Sequence, residues 1–276
     1  MIRIPVAKAH AAGNDFLIVE GSPETLLPDP RQRQRICDRH YGIGADGLVY
    51  VGLSCAMPSP EPEVDANLRI FNRDGGEAEI SGNGTRCVAA YLTAAKRVAE
   101  KFSISTDAGN KQLELLNAAH PNYVFKMAMG LPSYQTADID TKLDIAGSPS
   151  TVTLVNVGNP QCAMFADDFE FDWRKLGAAI EQHPHFPDRT NVSFIRVIDC
   201  HTIDVRFWER GAGETMSSGT GSTGAAAAAI ISKRAESPIT VKTVAGDMTL
   251  DWTDQIYLTG GAQIIATGYY NHTVGL

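Results

Sequence analysis

The chain has 276 residues, 43% of them hydrophobic, which is enough to bury a sizeable core and makes two domains a better expectation than one. Acidic side chains outnumber basic ones, 32 to 24, for a net charge of -8, and the basic residues form nothing denser than Arg31, Arg33 and Arg35, which argues against a nucleic-acid partner. The first ten residues lack the apolar core of a leader, the longest apolar stretch (225–231) falls far short of the ~20 residues of a membrane span, and five cysteines (Cys37, Cys55, Cys87, Cys162, Cys200) without a C-x-x-C pair signal neither a disulfide framework nor zinc, so a soluble cytoplasmic protein is expected.

In chain order, short strands are expected over 2–9, 16–20, 48–51, 64–71, 102–105 and 123–129, punctuated by turn chemistry such as Asp107-Ala108-Gly109-Asn110 and His120-Pro121-Asn122. Helices are fewer: 30–39 with proline in its first turn, 85–100, 173–182 behind an Asp172 cap, and 220–233. Residues 53–63, with three prolines, read as an exposed loop, and the polar stretch 131–150 as a linker between halves. Strands dominate, so the fold class is α+β.

An internal repeat organises the chain. Aligning Ser81 with Ser218 sets Phe71-Asn72-Arg73-Asp74-Gly75-Gly76-Glu77 against Trp208-Glu209-Arg210-Gly211-Ala212-Gly213-Glu214, then Ser81-Gly82-Asn83-Gly84 against Ser218-Gly219-Thr220-Gly221. Each copy follows a strand and opens a helix rich in small residues, and upstream Gly13-Asn14 pairs loosely with Gly158-Asn159. Two copies of one fold, facing each other, are expected.

A glycine-flanked turn entering a helix presents free backbone N–H groups at the positive end of the helix dipole, a ready site for a carboxylate or phosphate. A lone S-G-x-G is more often a simple helix cap; duplication shifts the balance toward two hydroxyls, Ser81 and Ser218, on opposite sides of one carbon, as base and acid. Glu209-Arg210 offers a carboxylate for an ammonium and a guanidinium for a carboxylate, although an isolated Glu-Arg is as often a solvated surface pair. Asn72 and Asn191 would add neutral contacts. No G-K-[ST] follows either turn, Gly42 to Gly47 makes a poor dinucleotide fingerprint, and no G-x-S-x-G elbow is present. His183-Pro184-His185 lacks a nearby third ligand and reads as a loop, not a metal site. Cys87 and Cys162 read as buried apolar residues, not nucleophiles.

His10-Ala11-Ala12-Gly13-Asn14-Asp15-Phe16, Arg39-His40-Tyr41-Gly42-Ile43-Gly44-Ala45-Asp46-Gly47, Phe71-Asn72-Arg73-Asp74-Gly75, Ser81-Gly82-Asn83-Gly84-Thr85-Arg86-Cys87, Asn156-Val157-Gly158-Asn159-Pro160 and Glu209-Arg210-Gly211-Ala212-Gly213-Glu214-Thr215 together resemble the diaminopimelate epimerase family, in order and over nearly the whole chain. The resemblance implies two pseudo-symmetric domains, each a curved, mostly antiparallel sheet or barrel around a central helix: 1–128, with a strand over 265–276 returning to it, and 129–264. It implies an isomerase that interconverts LL- and meso-diaminopimelate by two-base proton transfer, on the route to lysine and peptidoglycan, with no pyridoxal phosphate or other cofactor and as a homodimer. Carried over by position, Ser81 and Ser218 are the opposed catalytic groups and Gly82, Asn83, Gly219 and Thr220 hold the reacting carboxylate. Asn14, Asn72, Asn159, Asn191, Glu209 and Arg210 grip the rest of the substrate, Gly47 lines the cleft, and Gln161 and Glu209 tune it.

The departures from the family pattern carry weight. The family places cysteine where Ser81 and Ser218 stand, and usually histidine at Gln161. A thiol ionises near ~8.5 and is readily coaxed to thiolate, whereas a hydroxyl is not, and glutamine does not titrate. Slow or altered chemistry, a silent binding protein, an isomerase of another amino acid and serines introduced to trap a ligand all fit these changes; Gln161 favours a natural relative, because silencing needs the serines alone.

Overall fold

A computed structural model of the chain describes residues 2–53, 64–145 and 147–272. It falls into two units, 1–127 with 260–276, and 128–259. The expected loop over 53–63 lies outside the described residues except for Leu53, as does Cys55.

The first unit starts with β1 (Ile2–Ala11), β2 (Asn14–Glu20), the short α1 (Pro23–Leu26), α2 (Pro30–Cys37), β3 (Gly47–Leu53), β4 (Ala66–Asn72) and β5 (Glu77–Ala78). It continues with α3 (Gly82–Ala94), β6 (Lys101–Thr106), β7 (Gly109–Ala119) and β8 (Asn122–Gly130). The second comprises β9 (Thr141–Ile145), β10 (Ser148–Asn156), β11 (Pro160–Phe165), α4 (Trp173–Glu181), β12 (Asn191–Asp199), β13 (Thr202–Glu209), β14 (Gly213–Thr215), α5 (Gly219–Ile231), β15 (Ile239–Thr243) and β16 (Gly246–Trp252). The long β17 (Ile256–His272) starts in the second unit and ends in the first. This is an α+β chain with few helices.

The repeat read from the turns extends to a matching series of six strand pairings. In the first unit β1·β2 is antiparallel, β2·β3 parallel, β3·β4 antiparallel, β4·β6 parallel, and β6·β7 and β7·β8 antiparallel. In the second, β10·β11, β11·β12, β12·β13, β13·β15, β15·β16 and β16·β17 repeat the same series of directions. Pairing of β17 with both β1 and β8 closes the first sheet into a barrel. The parallel steps need crossovers, and the helices supply them: α2 and α3 in one unit, α4 and α5 in the other.

Each sheet wraps a helix. Ten of the thirteen residues of α3 and eleven of the thirteen of α5 are buried, so both are enclosed on nearly all sides, which the many small residues of α5 in particular permit because strands can approach its backbone closely. α3 packs on β1, β2 and β3, and α5 on β10 to β13, β15 and β16. Each helix stops shortly before a lysine in the left-handed region, Lys96 (φ 56°) and Lys233 (φ 58°). This is why α3 ends at Ala94 and not at 100: the Lys96 N–H turns back to Thr93 O and Arg97 N–H to Leu92 O. α2 and α4 lie on other faces, over apolar clusters that include Leu17, Ile36, Leu48 and Tyr50 in the first unit and Trp173, Ile180, Val192 and Phe194 in the second.

The stretch 131–150 is not a linker. Thr141–Ile145 and the start of β10 form a hairpin in which Ser148 faces Ile145 and Val152 faces Thr141. Leu143 and Ile145, alternating with polar neighbours, enter the core of the second unit; the strand is short and its outward residues are polar, which masked its period of two.

Candidate functional site

In both units the repeated turn is built the same way. An extended Ser81 (φ -136°, ψ 113°) precedes α3, and its Oγ accepts the Gly84 N–H at 3.0 Å; Ser218 (φ -138°, ψ 127°) precedes α5, and its Oγ accepts the Gly221 N–H at 3.0 Å. The second turn is closed by Thr223 Oγ1 to Gly219 O, the first by Thr85 Oγ1 to Ser81 O, each 2.8 Å. Both serines are therefore N-caps. An oxygen that accepts from a helix N–H still carries its own proton, so capping leaves the hydroxyl able to donate. Ser81 is half-buried and Ser218 buried.

An amide stands beside each turn. Asn83 Nδ2 donates to Asn14 Oδ1 at 3.2 Å in the first unit; Asn159 Nδ2 donates to Thr220 Oγ1 at 3.4 Å in the second. The loose sequence pairing of Asn14 with Asn159 is thus a structural correspondence. Gln161, on β11, donates from Nε2 to Asn159 Oδ1 at 2.7 Å, while its Oε1 is buried with no hydrogen-bond partner among the described residues. Its Cγ would lie 2.7 Å from a Cβ at Gly224, so glycine there makes room for it.

Within the first unit the structure gathers Ser81, Gly82, Asn83 and Asn14 and places Asn72 opposite Gly47 on adjacent strands. Gly47 is buried, and a Cβ on it would sit 2.7 Å from the Phe16 ring and 2.9 Å from Phe71 O, so packing alone demands glycine. Asn72 is exposed at the mouth of the β4–β5 turn, its N–H bonded to Gly76 O. Within the second unit Ser218, Gly219, Thr220, Asn159 and Gln161 stand together. Asn191 ties two loops there, donating to Pro160 O at 3.1 Å and accepting the Arg210 N–H at 3.0 Å. The Arg210 guanidinium reaches Asp188 O at 3.2 Å, and Glu209, at the end of β13, is half-buried.

Further residues shape these turns. Asp15 accepts a two-pronged bond from Arg39 (2.7 and 3.1 Å) and pairs with Lys8 at 2.9 Å; Arg39 also reaches Asp46 at 2.7 Å, and Asp46 accepts from Asn14 Nδ2 at 3.1 Å. Burial pushes the Asp15 carboxyl up, but the bonds from Arg39 and Lys8 outweigh it and hold the group at about 2. Arg86 is fully buried, and its guanidinium donates to Asn83 Oδ1 at 2.6 Å. In the second unit the buried Glu181 accepts from Trp208 Nε1 and the Gly211 N–H. Asp15, Arg39, Asp46 and Arg86 all sit inside the motifs quoted above, whereas nothing in the sequence marks Glu181. Cys87 and Cys162 take no part: both are buried, and desolvation pushes the Cys87 thiol up to about 12 and that of Cys162 higher than its ordinary value, so both stay neutral thiols.

Among the described residues no helix is long and apolar enough to cross a membrane. The chain resembles a hydroxyproline epimerase from Agrobacterium vitis, with a TM-score of 0.74 at 14% identity over 97% of this chain and 92% of that one. A methylitaconate-delta-isomerase gives a TM-score of 0.65 at 15% identity over 97% and 95%. These likenesses establish the fold. In sequence, the chain is 38% identical to diaminopimelate epimerase of Pelotomaculum thermopropionicum over 95% of its own length and 97% of the relative's, and 37% identical to that of Synechocystis sp. over 95% and 97%. The model of the diaminopimelate epimerase family matches residues 6–135 and 153–265, so that, with the same capped glycine turn and neighbouring amide in each half, the chain belongs to the diaminopimelate epimerase family.

Proposed function

We propose that the chain interconverts LL- and meso-diaminopimelate by moving a proton off one face of an α-carbon and onto the other, with Ser81 and Ser218 as the opposed groups and no pyridoxal phosphate. The observation that carries this reading is the duplication itself: two Ser-capped glycine turns, each with an amide bonded to the second residue of its helix. The N–H groups of Gly82, Asn83, Gly219 and Thr220 are the carboxylate donors, stabilising the charge that develops as the α-proton leaves. Asn14, Asn72, Asn159, Asn191, Glu209 and Arg210 hold the remainder of the substrate, Gly47 keeps backbone close to it, and Gln161 and Glu209 tune the second turn. The partner is a small amino acid in the cytoplasm, and the working form is a homodimer.

Serine sets the rate. A hydroxyl is a far weaker acid than a thiol, and no carboxylate or imidazole bonds to either serine among the described residues, so binding outlasts turnover. Incubation with LL-diaminopimelate in deuterated water tests the assignment: slow α-deuteration by the wild type, and a large increase in the Ser81→Cys, Ser218→Cys double variant. Tight binding by calorimetry without exchange in either protein would leave a binding protein, and absence of binding would point to another amino acid.

A further inference from the structure

The amides of the first unit form a chain whose ends have no choice of role. Arg86 lies inside the barrel at 0% exposure, one turn into α3. Burial pushes its guanidinium down to about 10, which still leaves it protonated at neutral pH, and a guanidinium only donates. Its Nη2 meets the Asn83 amide at 2.6 Å, so the Asn83 oxygen has to face it and the nitrogen has to face away. That nitrogen lies 3.2 Å from the Asn14 amide, which therefore presents its oxygen to Asn83 and its nitrogen to Asp46 Oδ2, 3.1 Å away. An Asp46 carboxylate only accepts, and its other oxygen accepts from Arg39 at 2.7 Å. Every link is thus directed by a donor-only group at one end and an acceptor-only group at the other. O and N of an amide are otherwise interchangeable by a half-turn.

The corresponding trio of the second unit has no such ends. Gln161, Asn159 and Thr220 can each donate or accept, so reversing all of them preserves both bonds. The first unit's polarity is therefore a property of its charged residues and not of the fold.

We propose that Arg86 is a positioning residue that fixes, through Asn83, the amide orientation of Asn14, so that the Asn14 N–H not given to Asp46 is the donor that a ligand carboxylate meets. The assignment of a ligand carboxylate rests on the diaminopimelate reading above; the orientation itself does not, and the two are tested separately. The Asn14 side-chain amide signal in a 15N-labelled protein is identified by its loss in Asn14→Ala. In Arg86→Met, which keeps the bulk and removes the donor, that signal shifts and exchanges faster with solvent although Arg86 does not touch Asn14; Arg86→Lys, which returns a donor-only group, restores it. An Asn14 signal unmoved by Arg86→Met overturns the proposal. Where Arg86→Met does not fold, Asn83→Ser breaks the same chain one link later and carries the same expectation and the same refutation. In the ligand arm, Arg86→Met weakens LL-diaminopimelate binding about tenfold, the worth of one charge-assisted hydrogen bond, but less than about twofold in an Asn14→Ala background. Equal losses in both backgrounds refute action through Asn14. If the wild type binds no diaminopimelate, the functional reading fails while the amide signal still decides the role of Arg86.

Discussion

The Glu181 carboxylate joins α4 to β13 and the β13–β14 turn: one oxygen accepts Trp208 Nε1 at 2.8 Å and the other accepts the Gly211 N–H at 2.9 Å, with Arg189 3.4 Å away. Glu181 is 5% exposed, whereas Trp208 is half-buried and Gly211 lies at the surface. Truncation to alanine removes both acceptors; the Gly211 N–H can turn to water, whereas the indole N–H loses its partner, a loss of about 1–3 kcal/mol. Chemical denaturation of Glu181→Ala should show this, with Glu181→Gln retaining one acceptor and losing less than the alanine variant. Because residues 209–211 hang from this carboxylate, ligand affinity should fall in both variants. A Glu181→Ala protein as stable as the wild type would mean that the turn is held by Asn191 alone.

Asp15 makes stability depend on acid. Its folded carboxyl is held at about 2, below the ordinary 3.8, since the bonds from Arg39 and Lys8 exceed the penalty of burial. A depressed carboxylate stabilises the fold fully above its unfolded value and loses that contribution as pH falls toward the folded one. The window is therefore between about pH 4 and pH 2, and the amount on the order of 2 kcal/mol. Urea midpoints of the wild type and Asp15→Asn should differ at pH 7 and converge across that window. A difference that stays constant down to pH 2 would show that the pair with Arg39 contributes packing and not charge.

Gly224 predicts a coupled pair. Alanine there brings a Cβ to 2.7 Å from Gln161 Cγ, inside a helix enclosed by strands, so neither neighbour can retreat. Overpacking of this kind costs about 1–3 kcal/mol. Shortening the glutamine takes away the Cγ contact and leaves the Gln161 Cβ at 2.9 Å, so the Gly224→Ala, Gln161→Ser double variant should recover part of the loss and be more stable than Gly224→Ala alone. Simple additivity of the two losses in thermal unfolding would place the clash elsewhere.

What the sequence made legible follows from distance along the chain. The caps at Ser81, Ser218 and Asp172 are local events, each written within four residues, and all three serve as side-chain acceptors at the helix starts expected of them or within a few residues. The repeat was readable because both copies retained the turn, and with it the α+β class. The hairpin of β9 and β10 was not, because Leu143 and Ile145 reveal their inward face only once paired with β10. Glu181 lies 27 residues from Trp208, and a lone Glu on a helix looks the same whether it meets water or an indole. Arg86 was visible as a motif letter, but its role needed the knowledge that α3 is enclosed by a barrel, which turns an ordinary helical arginine into a buried donor.

The two roles of Ser81, cap and proton carrier, can be separated. Ser81→Ala removes the acceptor of the Gly84 N–H and should cost about 1 kcal/mol of stability. Ser81→Asp supplies another good cap and a negative charge at the positive end of α3, so at this half-buried position its stability should stay within about 0.5 kcal/mol of the wild type. The same charge meets the carboxylate that the turn is proposed to hold, so affinity for LL-diaminopimelate should fall more than about tenfold in Ser81→Asp and much less in Ser81→Ala. Thermal shift and calorimetry on the two variants therefore rank them in opposite orders. If Ser81→Asp binds as tightly as Ser81→Ala, the anion does not sit at this turn, and the serine is a cap and nothing more.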